Sequence, residues 1–133
     1  MSDFVVIEQL INDYFHALHH KDVAKIEHIF WQHATITGYY EGEFVHSKLH
    51  DYLSILKRMS APDMIGEDFD MDVVSIELKG NMAAVKTRYL FQALEYQHIL
   101  TRYLFQALEY VDFLSLLKIE DKWQIVQKTF YHD

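Results

Sequence analysis

Tyr110–Asp133 reads YVDFLSLLKIEDKWQIVQKTFYHD, and the fold turns on this stretch. Two runs rich in β-branched and aromatic residues, Val111–Ile119 and Trp123–Tyr131, flank Glu120-Asp121-Lys122. That pattern predicts a β-hairpin closed by a short polar turn. Alternation along the first strand puts Asp112, Leu114, Leu116 and Lys118 on one face and Val111, Phe113, Ser115 and Leu117 on the other. In the second strand Val126, Lys128 and Phe130 share a face, opposite Ile125, Gln127, Thr129 and Tyr131. A carboxylate therefore sits among leucines, and an ammonium between Val126 and Phe130. Buried charges are costly unless paired, so Asp112 and Lys128 are expected to be coupled. Alternation leaves open whether they share a side of the sheet, because one β-bulge reverses the facing.

The chain of 133 residues is long enough for one domain with a real core, and 50% apolar with 15% aromatic residues argues against disorder. A net charge of −8 disfavours nucleic acid and anionic membranes as partners. With no cysteine there are no disulfides and no thiolate metal sites, and a reducing cytoplasm is the simplest compartment. The opening MSDFVVIEQL has neither a basic n-region nor a small-residue cleavage site, so no signal peptide is expected. No apolar run approaches the roughly 20 residues that span a bilayer.

Upstream of the hairpin, Ser2 or Asp3 can cap a first helix. Val6, Ile7, Leu10, Ile11, Tyr14 and Leu18 form its apolar stripe, and His19-His20-Lys21 ends it. Asp22 can cap a second helix that buries Val23, Ile26, Ile29 and Phe30. Ala34–Tyr39 reads as a short strand with a turn at Tyr40-Glu41-Gly42-Glu43. Ser47 is expected to cap a third helix carrying Leu49, Tyr52, Leu53 and Leu56, with Pro62 beyond its end. Phe69–Leu78 and Met82–Gln92 read as a strand pair about Lys79-Gly80-Asn81. The expected class is α+β, three N-terminal helices packed on a curved antiparallel sheet, in a single domain over 1–133.

TRYLFQALEY occurs twice, at Thr87–Tyr96 and Thr101–Tyr110, so that blocks 87–100 and 101–114 are offset by 14 residues. The even offset preserves strand facing when one copy replaces the other. The second copy runs directly into the Val111 strand, and the first is expected to finish the strand begun at Met82. Gln97-His98-Ile99-Leu100 would then lie near the turn of an extended arm, packed on a neighbouring subunit or curled over the sheet.

With one copy removed, the chain resembles the nuclear transport factor 2-like superfamily, the cone-shaped fold of ketosteroid isomerase, scytalone dehydratase and SnoaL-like cyclases. Within it the resemblance is to the small bacterial proteins called putative lumazine-binding. It is carried by Ile7-x-x-Leu10, Tyr14-Phe15-x-Ala17-Leu18, Lys21-Asp22, His33-Ala34-Thr35-Ile36, Gly38 and Gly42. It continues through Asp72-Val73-Val74-Ser75-Ile76, Gly80-x-x-Ala83, the VDFLSLLK strand and Trp123-x-Ile125-Val126-x-Lys128-x-Phe130. The resemblance implies a pocket between the long helix and a concave sheet, and no particular reaction.

Asp112 and Lys128 admit two readings: a pocket base whose charge state the lysine sets, or a buried ion pair that fixes hairpin register. The second is preferred, because strand ion pairs are commoner than catalytic ones. Ketosteroid isomerases use a first-helix tyrosine and a sheet carboxylate, and the resemblance would place Tyr14 and Asp112 similarly. Tyr14, Trp31, Thr37, Tyr39, Tyr40, Tyr52 and Phe130 are candidates to line an aromatic pocket. His16 and His20 have a metal-compatible spacing but no clustered third ligand, so no metal or other cofactor is expected. The expected function is binding of a small apolar or aromatic molecule. The alternatives are an isomerase, dehydratase or cyclase using acid–base chemistry, and a non-catalytic dimerisation module. The apolar outer face of Phe113, Leu117, Ile125 and Tyr131 suggests a homodimer through the sheet.

Overall fold

The computed structural model describes residues 1–58, 71–91 and 108–132. Helix α1 spans Asp3–His20 and starts where the Val5 N–H donates to Ser2 Oγ at 3.3 Å. Its stripe of Ile7, Ile11, Tyr14 and Leu18 is buried, and the helix stops at Lys21, which turns left-handed. Asp22 then caps α2, Val23–Ile29, by accepting from the Lys25 N–H at 3.2 Å. Strands β1, Phe30–Tyr40, and β2, Glu43–Lys48, form a hairpin whose turn residues Glu41 and Gly42 both have positive φ, as a two-residue turn between twisted strands requires. Helix α3, Leu49–Lys57, follows directly.

Two expectations change here. Ser47 does not cap α3. It lies in β2 opposite Ile36, its backbone is engaged in the ladder, and α3 starts after Lys48 without a side-chain cap. Phe30 opens β1 instead of closing α2, though it is buried as expected.

The remaining strands are β3, Met71–Lys79; β4, Met82–Phe91; β5, Leu108–Ile119; and β6, Lys122–His132. The sheet order is β2-β1-β6-β5-β4-β3. All neighbours are antiparallel except β1 and β6, which run parallel, so the sheet is mixed. That parallel pairing closes the β1–β2 hairpin against the C-terminal strand. Gly38 makes it possible, because a Cβ there would collide with the Phe130 carbonyl.

The β5–β6 hairpin carries the decisive irregularity. Ser115 pairs with Gln127 but Leu116 pairs with Ile125, which leaves Val126 as an extra residue. This bulge reverses the facing along β6. Trp123 and Ile125 point into the core on one side of it, and Lys128 and His132 are buried on the same face beyond it. Ile125 is therefore fully buried rather than part of the outer face. Phe113, Leu117 and Tyr131 do face outward and are 40–57% exposed.

The first TRYLFQALEY copy gives its opening five residues to β4, and the second gives its closing three to β5, with Phe91 opposite Leu108. The extended arm expected over 92–107 and Pro62 lie outside the described residues.

Candidate functional site

Strand register, more than sequence proximity, assembles the concave face. Three successive rungs of inward side chains cross four strands. The outer rung is Tyr89, Tyr110, His132 and Tyr40; the middle is Thr87, Asp112, Phe130 and Gly38; the inner is Val85, Leu114, Lys128 and Ile36. Asp112 and Lys128 are thus diagonal neighbours on β5 and β6, close enough to meet.

They do meet. Lys128 Nζ lies 3.7 Å from Asp112 Oδ2 and donates to the Tyr52 hydroxyl at 3.0 Å. From α1, Tyr14 donates to the same Asp112 oxygen at 2.7 Å. The ammonium is also held near the rings of Tyr52, Tyr14 and Tyr89, at 5.0, 5.4 and 6.0 Å from their centroids. Asp112 is 0% exposed and Lys128 3%. Thr87 stands opposite Asp112, but neither its hydroxyl nor Asp112 Oδ1 reaches good hydrogen-bond geometry, so Oδ1 keeps spare acceptor capacity.

Burial pushes the Asp112 pKa up, and Lys128, Tyr14 and Thr87 only partly pull it back. Burial would lower that of Lys128, but the Asp112 carboxylate and Tyr52 outweigh it, so the lysine stays firmly cationic. Tyr14 and Tyr89 are raised well above the ordinary phenol range by burial and then by the Asp112 charge, which keeps them neutral.

Above this pair opens a cavity of about 350 Å³. Its floor includes Lys128, Phe130 and Ile36, and Tyr52, Ile55 and Leu56 of α3 form one wall. Leu18 and Lys21 enter from the end of α1, Val45 and Ser47 from β2, and Tyr40, Tyr89 and Tyr110 from the outer rung. In that rung the Tyr110 ring is sandwiched, 5.0 Å from Tyr89 on one side and 4.1 Å from His132 on the other, with interplanar angles of 5° and 12°. Both its faces are therefore occupied, and Tyr110 meets the cavity through its edge. Buried His132 has Nδ1 3.0 Å from the Glu109 carbonyl; a carbonyl only accepts, so Nδ1 carries a proton.

Of the sequence candidates, the structure brings Asp112, Lys128, Tyr14, Tyr52 and Phe130 together, and Tyr40 lines the same cavity. Tyr14 lies behind the charge pair and does not line the cavity. Trp31, Thr37 and Tyr39 lie elsewhere. Trp31 packs edge-on to His33 at 4.9 Å, Thr37 bonds the His46 ring at 2.8 Å, and Tyr39 is half exposed against Phe44. Thr37 and Tyr39 alternate with Ile36, Gly38 and Tyr40, and so face the other side of β1. Sequence reasoning missed Lys21, Tyr89, Tyr110 and His132. Tyr110 and His132 keep step with Asp112 and Lys128 by even spacing, a usable signal; Tyr89 needed the register. His16 and His20 stack at 6.2 Å on α1, and no cluster of three metal-ligating side chains occurs among the described residues.

The chain belongs to the family described as "Putative lumazine-binding", whose profile matches residues 2–131. Solved structures agree on the nuclear transport factor 2-like fold. A protein of unknown function from Silicibacter pomeroyi superposes with a TM-score of 0.77 at 20% identity, covering 98% of this chain and 95% of its own. One from Methylobacillus flagellatus gives 0.73 at 19%, covering 100% and 95%. A ketosteroid isomerase-like protein from Erwinia carotovora atroseptica gives 0.70 at 13%, covering 96% and 94%. No curated protein matches.

Proposed function

We propose that this chain binds a small, largely apolar or aromatic molecule in the cone between α3, the end of α1 and the concave sheet. The observation that carries this reading is the cavity itself. It is bounded by aliphatic and tyrosine side chains, with a buried cation at its floor. A pocket with an apolar lining and a few fixed polar groups is the usual form of a small-molecule site. The family description favours a ligand-binding role. A screen of aromatic fragments against the isotope-labelled chain should perturb resonances of Tyr52, Tyr110 and Lys128. Val45→Trp, which fills the cavity from β2, should abolish the shifts. A chain that responds to none of the fragments, or a Val45→Trp variant that responds unchanged, overturns the reading.

Acid–base catalysis is the second reading, favoured by the Tyr14–Asp112 hydrogen bond and the raised Asp112 pKa. Against it, Asp112 is fully buried and a bound molecule would meet Lys128 and Tyr52 first. The pair is therefore read first as a structural ion pair with one end open to the pocket. Exposed Phe113, Leu117 and Tyr131 on the outer sheet face favour a homodimer through the sheet, with a dimerisation-only role as the limiting case. The absence of cysteine favours a reducing cytoplasm. No helix among the described residues is long and apolar enough to cross a membrane.

A further inference from the structure

We propose that the cone selects an anion: a flat aromatic molecule of one or two rings carrying a single acidic oxygen group, seated with that group on Lys128. This inference rests on the cone being a binding site and specifies what enters it.

Charge distribution is the first observation. The chain carries a net charge of −8, yet the described residues lining the cavity include two lysines, Lys21 and Lys128, and no carboxylate. The one buried acid nearby, Asp112, does not line the cavity. It lies on the far side of the ammonium, and its Oδ2 takes the Tyr14 hydroxyl. An occupant therefore meets the positive end of the ion pair.

Donor count is the second observation. An ammonium has three N–H donors. Among the described residues Lys128 makes one hydrogen bond, to Tyr52, and its 3.7 Å approach to Asp112 is an ion-pair distance longer than a hydrogen bond. A cation that is 3% exposed and lines the cavity thus has donor capacity beyond its bond to Tyr52. An anionic oxygen there would form a charge-assisted bond in a low-dielectric site.

Shape is the third. A cavity of about 350 Å³ is at the small end of the range for ligand sites, which limits the body to one or two rings. Because both Tyr110 faces are occupied, it offers the ligand its positive ring edge. That surface also suits an electron-rich partner.

The test compares 2-naphthoate with its neutral isostere 2-naphthamide, by calorimetry on the full chain. Naphthoate should bind at least tenfold more tightly. Lys128→Arg should keep that preference, Lys21→Ala should weaken naphthoate about threefold and leave naphthamide unchanged, and Asp112→Asn/Lys128→Met should bring the two ligands to equality. The wild-type ratio is decisive by itself should the double variant fail to fold. Equal binding of both compounds, or tighter binding of the amide, overturns the anion proposal while leaving the cone as a binding site. Binding of neither overturns both.

Discussion

The two ends of the cone are built on opposite principles. At the inner end one cation and one carboxylate are sealed among leucines, isoleucines and tyrosines, and each charge is held by a named partner. At the outer end four rings from four strands line up by register, and the contacts are between ring faces and edges. The inner end is all-or-none, because removing one charge strands the other. The outer end is graded, because each ring contributes a modest increment.

The largest expected effect tests the inner end. Lys128→Met should destabilise by about 3–5 kcal/mol, since it leaves Asp112 buried without its cation. Adding Asp112→Asn should recover part of that loss, so denaturant unfolding of the double variant should fall well short of the sum. Strict additivity would show two independent sites, and the contrast between the ends would disappear. The pH dependence sharpens the same point. Burial raises the folded pKa of Asp112 above its ordinary 3.8. The folded chain then holds a proton more tightly than the unfolded one, so this contribution is greatest below 3.8 and declines as pH rises through the raised value. Stability of the wild type minus that of Asp112→Asn should slope downward with pH in that window. An upward slope would mean that pairing with Lys128 outweighs desolvation.

The middle rung, which carries Asp112, also holds the close contact of β1 with β6 at Gly38. Gly38→Ala should cost about 1–3 kcal/mol or more, because the added methyl would run into the Phe130 carbonyl and the edge of its ring. It should also move β1 relative to β6 and so disturb Tyr40 against His132, which amide shifts would report.

The outer end offers a test of the duplication. Removing residues 92–105 joins Phe91 to Gln106 and leaves every described residue of β4 and β5 in place, giving TRYLFQALEYVDF. Phe91 and Leu108 are register partners, so Gln106-Ala107 becomes a two-residue turn between them. Shortening the connection should stabilise the hairpin by up to about 2 kcal/mol, less whatever a turn without glycine or asparagine costs. Thermal unfolding should occur at an equal or higher temperature with the Tyr89–Tyr110 contact intact. Unfolding of the shortened chain would assign the removed block to the core. The smallest effect belongs to Tyr110→Leu, which removes the centre of the sandwich. It should lose about 0.5–1.5 kcal/mol beyond the change in buried area. A loss as large as that of Lys128→Met would erase the distinction between the two ends.

Much of this protein was legible in the chain alone. Period and capping placed α1 and α2, since Ser2 and Asp22 act on backbone groups a few residues away. Alternation faced Asp112 inward with Leu114 and Leu116, and the cost of a lone buried charge named Lys128 as its partner. These inferences are local, or rest on an energy too large to leave unbalanced. Tertiary structure alone decided the rest. The Val126 bulge put Ile125 and Lys128 on one face, although strict alternation separates them. Parallel pairing of β1 with β6 brought Tyr40 beside His132, and the β4–β5 register brought Tyr89 beside Tyr110. The sequence marks each of these strands as amphipathic. Sliding a strand by two residues keeps its facing but changes every cross-strand partner. Only closure of the whole sheet fixes which rings share a rung, and with it where the cone stops being charged and becomes aromatic.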